Sequence, residues 1–274
     1  MTRTYFFIVS VSVTFAMLFS VAARAELTTQ FGVNINDTNN FNDNINLYQL
    51  FTNYFADQLA ITGESYTSSN DLYNARGVDP YTDWTTSGSQ MVGAFKVADL
   101  GHAMSMIDAS GNIVAQIMHV GGTENIGQFG GITDLSNQVV GYIPDGLNVN
   151  FRLDADFWGN TVYSWSSNPD QNDGSLGIVG DGMVHMLALN ITDLYNAKYN
   201  TDNDSVFMFA WEDLHKTAGN GGEWADWDYQ DFVAIVTNVM PNSEVNATPE
   251  PATMLILGLG FAGLGFARRQ QKKA

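Results

Sequence analysis

The chain has no cysteine among its 274 residues. That excludes a disulfide scaffold, a Cys-ligated zinc or iron–sulfur centre and a thiol nucleophile. Positive charge is scarce, with 11 Lys and Arg against 29 Asp and Glu and a formal net charge of −18. A surface this acidic does not hold nucleic acid by bulk electrostatics. The familiar catalytic templates are missing as well: there is no G-x-S-x-G elbow, no H-E-x-x-H and no Walker loop. The four histidines, His102, His119, His185 and His215, are far apart and lack metal-ligand spacing. Proline is rare and no internal repeat is visible. What is present is an apolar, aromatic-rich chain, 45% hydrophobic and 12% aromatic, which is too apolar to stay unfolded.

The few basic residues gather at the two ends. Residues 1–25 carry Arg3 and Arg24 and no acid, and Thr4–Ala22 is an apolar and hydroxylic run. It ends in Ala23-Arg24-Ala25, which fits the small-x-small rule for signal peptidase, so residues 1–25 read as a cleavable signal peptide with Glu26 as the first mature residue. A retained membrane anchor is the alternative reading. At the other end, Met254–Ala267 is an unbroken apolar and small run, closed by Arg268, Arg269, Lys272 and Lys273. As a helix it reaches about 21 Å, short of a hydrocarbon core of about 30 Å; Ala252 and Thr253 extend it, and a thinned or tilted fit lets it span. The basic cluster stays cytoplasmic by the positive-inside rule.

Between these ends, residues 26–248 hold five basic residues (Arg76, Lys96, Arg152, Lys198 and Lys216) and 28 acids, a net charge of −23. Such a body repels nucleic acid and anionic lipid and attracts divalent cations. Its size, about 220 residues, suits a single domain. Ile45, Tyr48, Phe51, Phe55 and Leu59 recur at helical spacing and Gly63 follows as a stop, which predicts one amphipathic helix over 45–60, capped by Asp43 or Asn44. Thereafter the pattern is of short strands and turns. Strands are predicted at Met91–Val97, Ala103–Ile107, Ile113–Val120, Gln138–Ile143, Asn148–Leu153, Asn160–Trp165, Val184–Ile191, Val206–Trp211 and Phe232–Val239. This argues a mainly β fold, an antiparallel jelly-roll-like β-sandwich with one N-terminal helix, and with one buried face per strand. Along Val206–Trp211, alternation puts Phe207, Phe209 and Trp211 on one side and Val206, Met208 and Ala210 on the other.

The densest chemistry is Glu212-Asp213-Leu214, a Gly-rich loop, then Asp226-Trp227-Asp228-Tyr229-Gln230-Asp231. Glu212, Asp213, Asp226, Asp228 and Asp231 repel one another unless solvated, protonated or bridged by a cation. Calcium, which takes six to eight oxygens, is the cation such a turn suits, and these five are the candidate metal ligands. The competing reading is a solvated loop whose carboxylates cap backbone N–H groups. Asp154 with Asp156 on one strand face, the turn Asn168–Gly174, and Asp202-Asn203-Asp204 are weaker acidic groups that read as turns unless the fold stacks them beside Asp226–Asp231. His185 reads as a hydrogen-bonded strand residue. Among six tryptophans, Trp224 and Trp227 flank the Gly loop and are the candidates for glycan stacking; the others read as core. A glycoside hydrolase, which needs two suitably spaced carboxylates, is the enzymatic alternative to a non-catalytic or glycan-binding module.

Two resemblances sharpen this. Pro249-Glu250-Pro251, then the Gly/Leu-rich run, then Arg268-Arg269, closely resembles the PEP-CTERM sorting signal of Gram-negative bacteria over residues 249–274. That implies processing by signal peptidase and an exosortase. It also implies a transient inner-membrane tether through the C-terminal helix, with the body facing the periplasm, and delivery to the cell surface or the extracellular, exopolysaccharide-rich biofilm matrix. The Trp211-Glu212-Asp213-Leu214 and Asp226–Phe232 layout resembles the DUF4114 family over residues 181–240, with Gln230 where that family commonly has Asn. It implies an extracellular β-rich module and supplies no reaction.

Overall fold

A computed structural model describes residues 33, 35–37, 46–96, 100–120, 133–134, 143, 145–157, 160–174, 180–215 and 227–242. All of them belong to one of the two units into which the chain divides, Glu26–Asn242.

The helices come first. Asn46 opens α1 (Leu47–Tyr54) with a reciprocal capping box, its side chain taking the Gln49 N–H while the Gln49 side chain takes its own. The helix predicted over 45–60 is therefore capped by Asn46, and it is two segments: Phe55 separates α1 from α2 (Ala56–Thr62). The bend at Phe55 keeps the hydrogen-bond ladder, with the Phe55 N–H on Phe51 and the Leu59 N–H on Phe55. It turns the Phe55 ring, fully buried, against Phe51 and Tyr54. Gly63 ends α2 in the left-handed conformation, as expected of a C-terminal glycine. Two further helices, α3 (Ser69–Arg76), capped by Ser68, and α4 (Thr192–Tyr199), correct the expectation of a single one.

Among the described residues there are nine strands: β1 (Trp84–Lys96), β2 (Gly101–Ile107), β3 (Ile113–Val120), β4 (Thr133–Asp134), β5 (Asn148–Phe157), β6 (Asn160–Ser166), β7 (Met186–Asn190), β8 (Val206–Trp211) and β9 (Phe232–Pro241). All pairings are antiparallel, in the order β3-β2-β5-β1-β9-β8-β7, with β4 on β1 and β6 on β5. The mainly β, antiparallel expectation holds; a jelly-roll connectivity does not follow from this order. Of the predicted strand Gln138–Ile143, only Ile143 lies among the described residues.

The sheet folds over on itself. β1 and β5 pair through only two residues each, Trp84 with Val149 and Thr85 with Asn148. Three strand steps separate β5 from β8 in the hydrogen-bonded order, about 14 Å in a flat sheet. Yet the rings of Phe151 on β5 and Phe209 on β8 are 4.7 Å apart. The wing β3-β2-β5-β6 therefore faces the wing β1-β9-β8-β7. Between them lie Met104, Met106, Phe151, Leu153 and Trp165 from one side and Phe207, Phe209, Trp211 and Phe232 from the other.

The opposite face of β7–β9 is also covered. Leu187, Leu189, Val206, Met208, Ala210, Val233 and Ile235 pack against Leu47, Leu50, Phe51, Leu72, Tyr73 and Leu194 of the helices. The alternation read along β8 is thus correct, but its consequence is different from that expected: both faces are buried, and all six residues are inaccessible. A helix layer, a buried sheet wing and an outer sheet wing form three stacked layers, each interface burying large apolar side chains at about 1.5–3 kcal/mol apiece. Among the described residues no helix is long and apolar enough to cross a membrane. The signal and sorting segments lie outside the described residues.

Candidate functional site

Trp211, at the end of β8, pairs with Met186 at the start of β7 and with Phe232 at the start of β9. Three connecting segments therefore meet at one end of the buried wing: 180–185 before β7, 212–215 after β8 and 227–231 before β9. This convergence, which is a property of topology, brings distant polar residues together.

Glu212 is wholly buried. Its Oε1 accepts the Leu214 N–H at 3.1 Å and its Oε2 the Trp227 N–H at 2.7 Å. The carboxylate thus ties the chain leaving β8 to the chain entering β9. Asp228 is 3% exposed; its Oδ1 accepts the Gln230 N–H at 3.2 Å and its Oδ2 the Gln230 Nε2–H at 2.6 Å. Asp231, half-buried, accepts the Asp213 N–H at 2.9 Å. Glu212, Asp228 and Asp231 each bring one carboxylate oxygen within 4.8 Å of the others. Among the described residues this is the one group of three or more acids or histidines drawn together in this way.

Asp213 departs from the predicted ligand set. The strand geometry that sends Glu212 toward the β9 segment sends Asp213 the other way, into the space between the wings, where its Oδ2 lies 2.7 Å from Nε2 of the fully buried His102 on β2. The Asp213 carbonyl accepts the Trp165 Nε1–H at 2.9 Å. Asp226 and Trp224 lie outside the described residues.

The segment Trp227-Asp228-Tyr229 is held in an unusual backbone. Trp227 and Tyr229 have φ of 59° and 57°, left-handed values that cost bulky residues about 1–3 kcal/mol each. Tyr229 is anchored by donating its hydroxyl to the Val184 carbonyl at 2.7 Å, and the Trp227 carbonyl accepts the Asn36 N–H at 2.9 Å. Burial, then the charge of Glu212, raises the Tyr229 phenol well above its ordinary value, so it stays a neutral donor.

On the β7 side, His185 does make hydrogen bonds, as expected, but from the loop just before the strand. Its Nδ1 lies 3.0 Å from the Glu212 carbonyl and its Nε2 3.0 Å from Asp181. Its ring stacks on Trp165 and has Trp227 at 5.4 Å. His215 sits beside Tyr163 and Trp165. The sequence offers no signal for the union of His102 with Asp213, since 111 residues separate them.

The weaker acidic groups do not join the cluster. Asp154 and Asp156 do share the outer face of β5. Asp154 pairs there with Arg152 at 2.7 Å and accepts from Ser164, and Asp156 faces His119 at 3.3 Å. Asp202 and Asp204 are exposed near the opposite end of β8. Only the turn at Asn168–Gly174 lies near the site. Asn172, buried, accepts the Ser166 N–H at 2.6 Å and donates to the Met183 carbonyl at 3.0 Å. Gly180 passes so close beneath this turn that a Cβ would meet the Asn172 carbonyl oxygen at 2.2 Å. Trp84, Trp165 and Trp211 are core, as read, and Trp227 is half-buried against the helix-side cluster.

Comparison with known proteins bears on the C-terminus. Residues 247–270 match the PEP-CTERM protein-sorting motif. No curated protein and no solved structure matches the chain.

Proposed function

We propose that the protein is an exported cargo of the exosortase route, whose body acts as a non-catalytic structural or binding module of the cell envelope or extracellular matrix. The sorting motif at residues 247–270 carries the reading, since it marks a secreted, membrane-processed protein. The run Ala23-Arg24-Ala25 supports signal-peptidase cleavage at the other end, and the transient tether and surface destination follow from the two signals together. Residues 181–240 are read as DUF4114-like. The placement of Glu212-Asp213-Leu214 directly after β8 and of Asp228–Asp231 directly before β9 supports this.

The chemistry of the acidic end supports a non-catalytic role. A glycosidase keeps its two carboxyls open to a sugar and to water. Here Glu212 is wholly buried with both oxygens on backbone N–H groups, and Asp228 is nearly as deep. A glycan-binding module is the second reading, favoured by Trp227, which is half-buried beside the strand-end loops.

Fractionation of the native host tests export. The expected mature form begins at Glu26, lacks the apolar tail and leaves the cell; deletion of the chain from Pro249 onward changes envelope retention without changing the fold. A cytosolic protein retaining Met1 overturns the proposal. Affinity electrophoresis in the host exopolysaccharide, with Trp227→Ala as comparison, tests the glycan reading.

A further inference from the structure

We infer that Asn190 is the acceptor of an N-linked glycan, added on the outer face of the inner membrane from a lipid-pyrophosphate-linked oligosaccharide. The acceptor pattern is Asn-x-Ser/Thr with x not proline, and the fold must leave the asparagine at the surface to carry so bulky a group. Four such triplets occur, at Asn36, Asn190, Asn203 and Asn246. Those at Asn36 and Asn246 reach outside the described residues, so geometry decides between Asn190-Ile191-Thr192 and Asn203-Asp204-Ser205.

Asn190 closes the buried strand β7 as its exposed residue. Its Oδ1 accepts the Thr192 N–H at 3.1 Å and the Thr192 hydroxyl at 2.8 Å, and its backbone carbonyl accepts an Arg76 Nη1–H at 3.0 Å. The amide is thus held through its oxygen, while Nδ2 makes no hydrogen bond to any described residue. Asn203 is arranged the other way. Its Nδ2 donates to Asn196 Oδ1 at 3.2 Å and to Thr201 Oγ1 at 3.0 Å, and its partner in the triplet, Ser205, is buried with the hydroxyl on the Val239 carbonyl at 2.6 Å. A sugar on Asn203 disrupts that pair of amide bonds, whereas one on Asn190 disrupts none. In the transfer, Asn190 Nδ2 attacks the anomeric carbon of the donor. The N–C bond forms as the C–O bond to pyrophosphate breaks, the bonding electron pair leaves with the pyrophosphate, and one Nδ2 proton passes to a base of the transferase. The place has a consequence for the sheet. β7 is last in the strand order, and among the described residues its far side meets only the Gly77–Leu189 bridge and the Val78 N–H on the Ala188 carbonyl. A glycan at its end screens that edge from pairing with another chain. The inference rests on the reading of an exported protein, because acceptor and donor meet outside the cytosol.

The test is mass spectrometry of the chain collected from the envelope and the medium of the native host, intact and as proteolytic peptides. A glycan mass on the peptide containing Asn190, and none on the peptide containing Asn203, is expected. Asn190→Gln and Thr192→Ala are expected to lose that mass, and Thr192→Ser, which keeps the hydroxyl, to retain it. Asn190→Gln changes one exposed side chain, so its fold is expected to be intact by circular dichroism, and it serves if Thr192→Ala does not fold. A chain lacking residues 2–25, held in the cytosol, is expected to carry no sugar; sugar there points to a cytosolic nucleotide-sugar donor and overturns the lipid-linked one. An exported chain with Asn190 bare, a glycan on Asn203 instead, or a glycan on Asn190 that survives Thr192→Ala overturns the inference and leaves export standing. Absence of the chain from both fractions overturns export, and the inference with it.

Discussion

The His185 imidazole lies flat on the Trp165 indole, with ring centroids 3.6 Å apart and planes 2° from parallel. The stack crosses from the inner wing to the outer one and continues through the Trp165 Nε1–H to the Asp213 carbonyl. Packing and polar anchoring are therefore separable at one residue. Trp165→Phe keeps a ring beneath His185 and removes the hydrogen bond, at an expected cost of about 0.5–1.5 kcal/mol. Trp165→Ala removes the ring as well, at about 3–5 kcal/mol. Urea denaturation of the two variants checks the difference; equal losses would show that the stack contributes nothing.

The His102–Asp213 pair is buried on both sides, and His102 Nδ1 has no hydrogen-bond partner among the described residues. Removing one member strands the other. His102→Leu is expected to cost about 3–5 kcal/mol, whereas His102→Leu combined with Asp213→Leu recovers much of it, because an apolar pair of similar volume replaces two polar groups. A double-mutant cycle in urea measures the coupling. Additive losses would sink the idea that the two groups depend on each other.

Arg76 of α3 bridges Glu64 and Asp193, at 2.7 and 2.8 Å. Burial alone would raise Glu64, but hydrogen bonds from Tyr66 and Arg76 outweigh it and hold the carboxyl low; Asp193 is lowered chiefly by its hydrogen bond from Arg76. In the unfolded chain the two protonate at their ordinary values, 4.5 and 3.8. Acid therefore favours unfolding, and the contribution of the network, complete above about pH 4.5, fades as pH falls through the lowered values. Arg76→Met is expected to cost about 1 kcal/mol at neutral pH, a modest figure because both carboxylates are partly exposed, and to flatten the acid limb of stability. An unaltered acid limb in pH-dependent urea melts would refute it.

Base acts through the tyrosines. Burial raises Tyr73 and Tyr229, and it raises Tyr66 to about 12, with Glu64 adding to the effect there. These phenols keep their protons in the folded chain at a pH where the unfolded chain loses them. Their contribution is present below about pH 10 and is lost as pH rises beyond it. Phenolate absorbance should show Tyr73 and Tyr229 ionising only together with unfolding, and Tyr229→Phe should lessen the alkaline loss. Free titration of every tyrosine near pH 10 in folded protein would contradict this.

Strands with strong local patterning were readable from residues alone: Ile113–Val120, apolar except at Gln116 and His119 and preceded by a turn, and the unbroken apolar run Val206–Trp211 both have the bounds expected. α3 and α4 were not. In SNDLYNAR and TDLYNAKY only two apolar positions each are buried, Leu72 with Tyr73 and Leu194 with Tyr195, too few to establish a helical period. The acidic cluster was legible as composition, but its membership was not. Glu212 and Asp213 are neighbours that point to different wings, and no periodicity indicates which of them meets Asp228. His102 lies 111 residues from Asp213 and meets it because the sheet doubles back, whereas His185 meets Glu212 because the β7–β8 ladder runs on past Met186 and Trp211.

Full enclosure of β8 has an evolutionary consequence. A strand with one wet side tolerates replacement at every second position. Here the helices cover one side and the outer wing the other, so a saturation library should show intolerance at all six consecutive codons from Val206 to Trp211. Sequence drift in this segment is confined to coordinated exchanges across two separate interiors, while the connecting loops remain the places where related proteins can diversify.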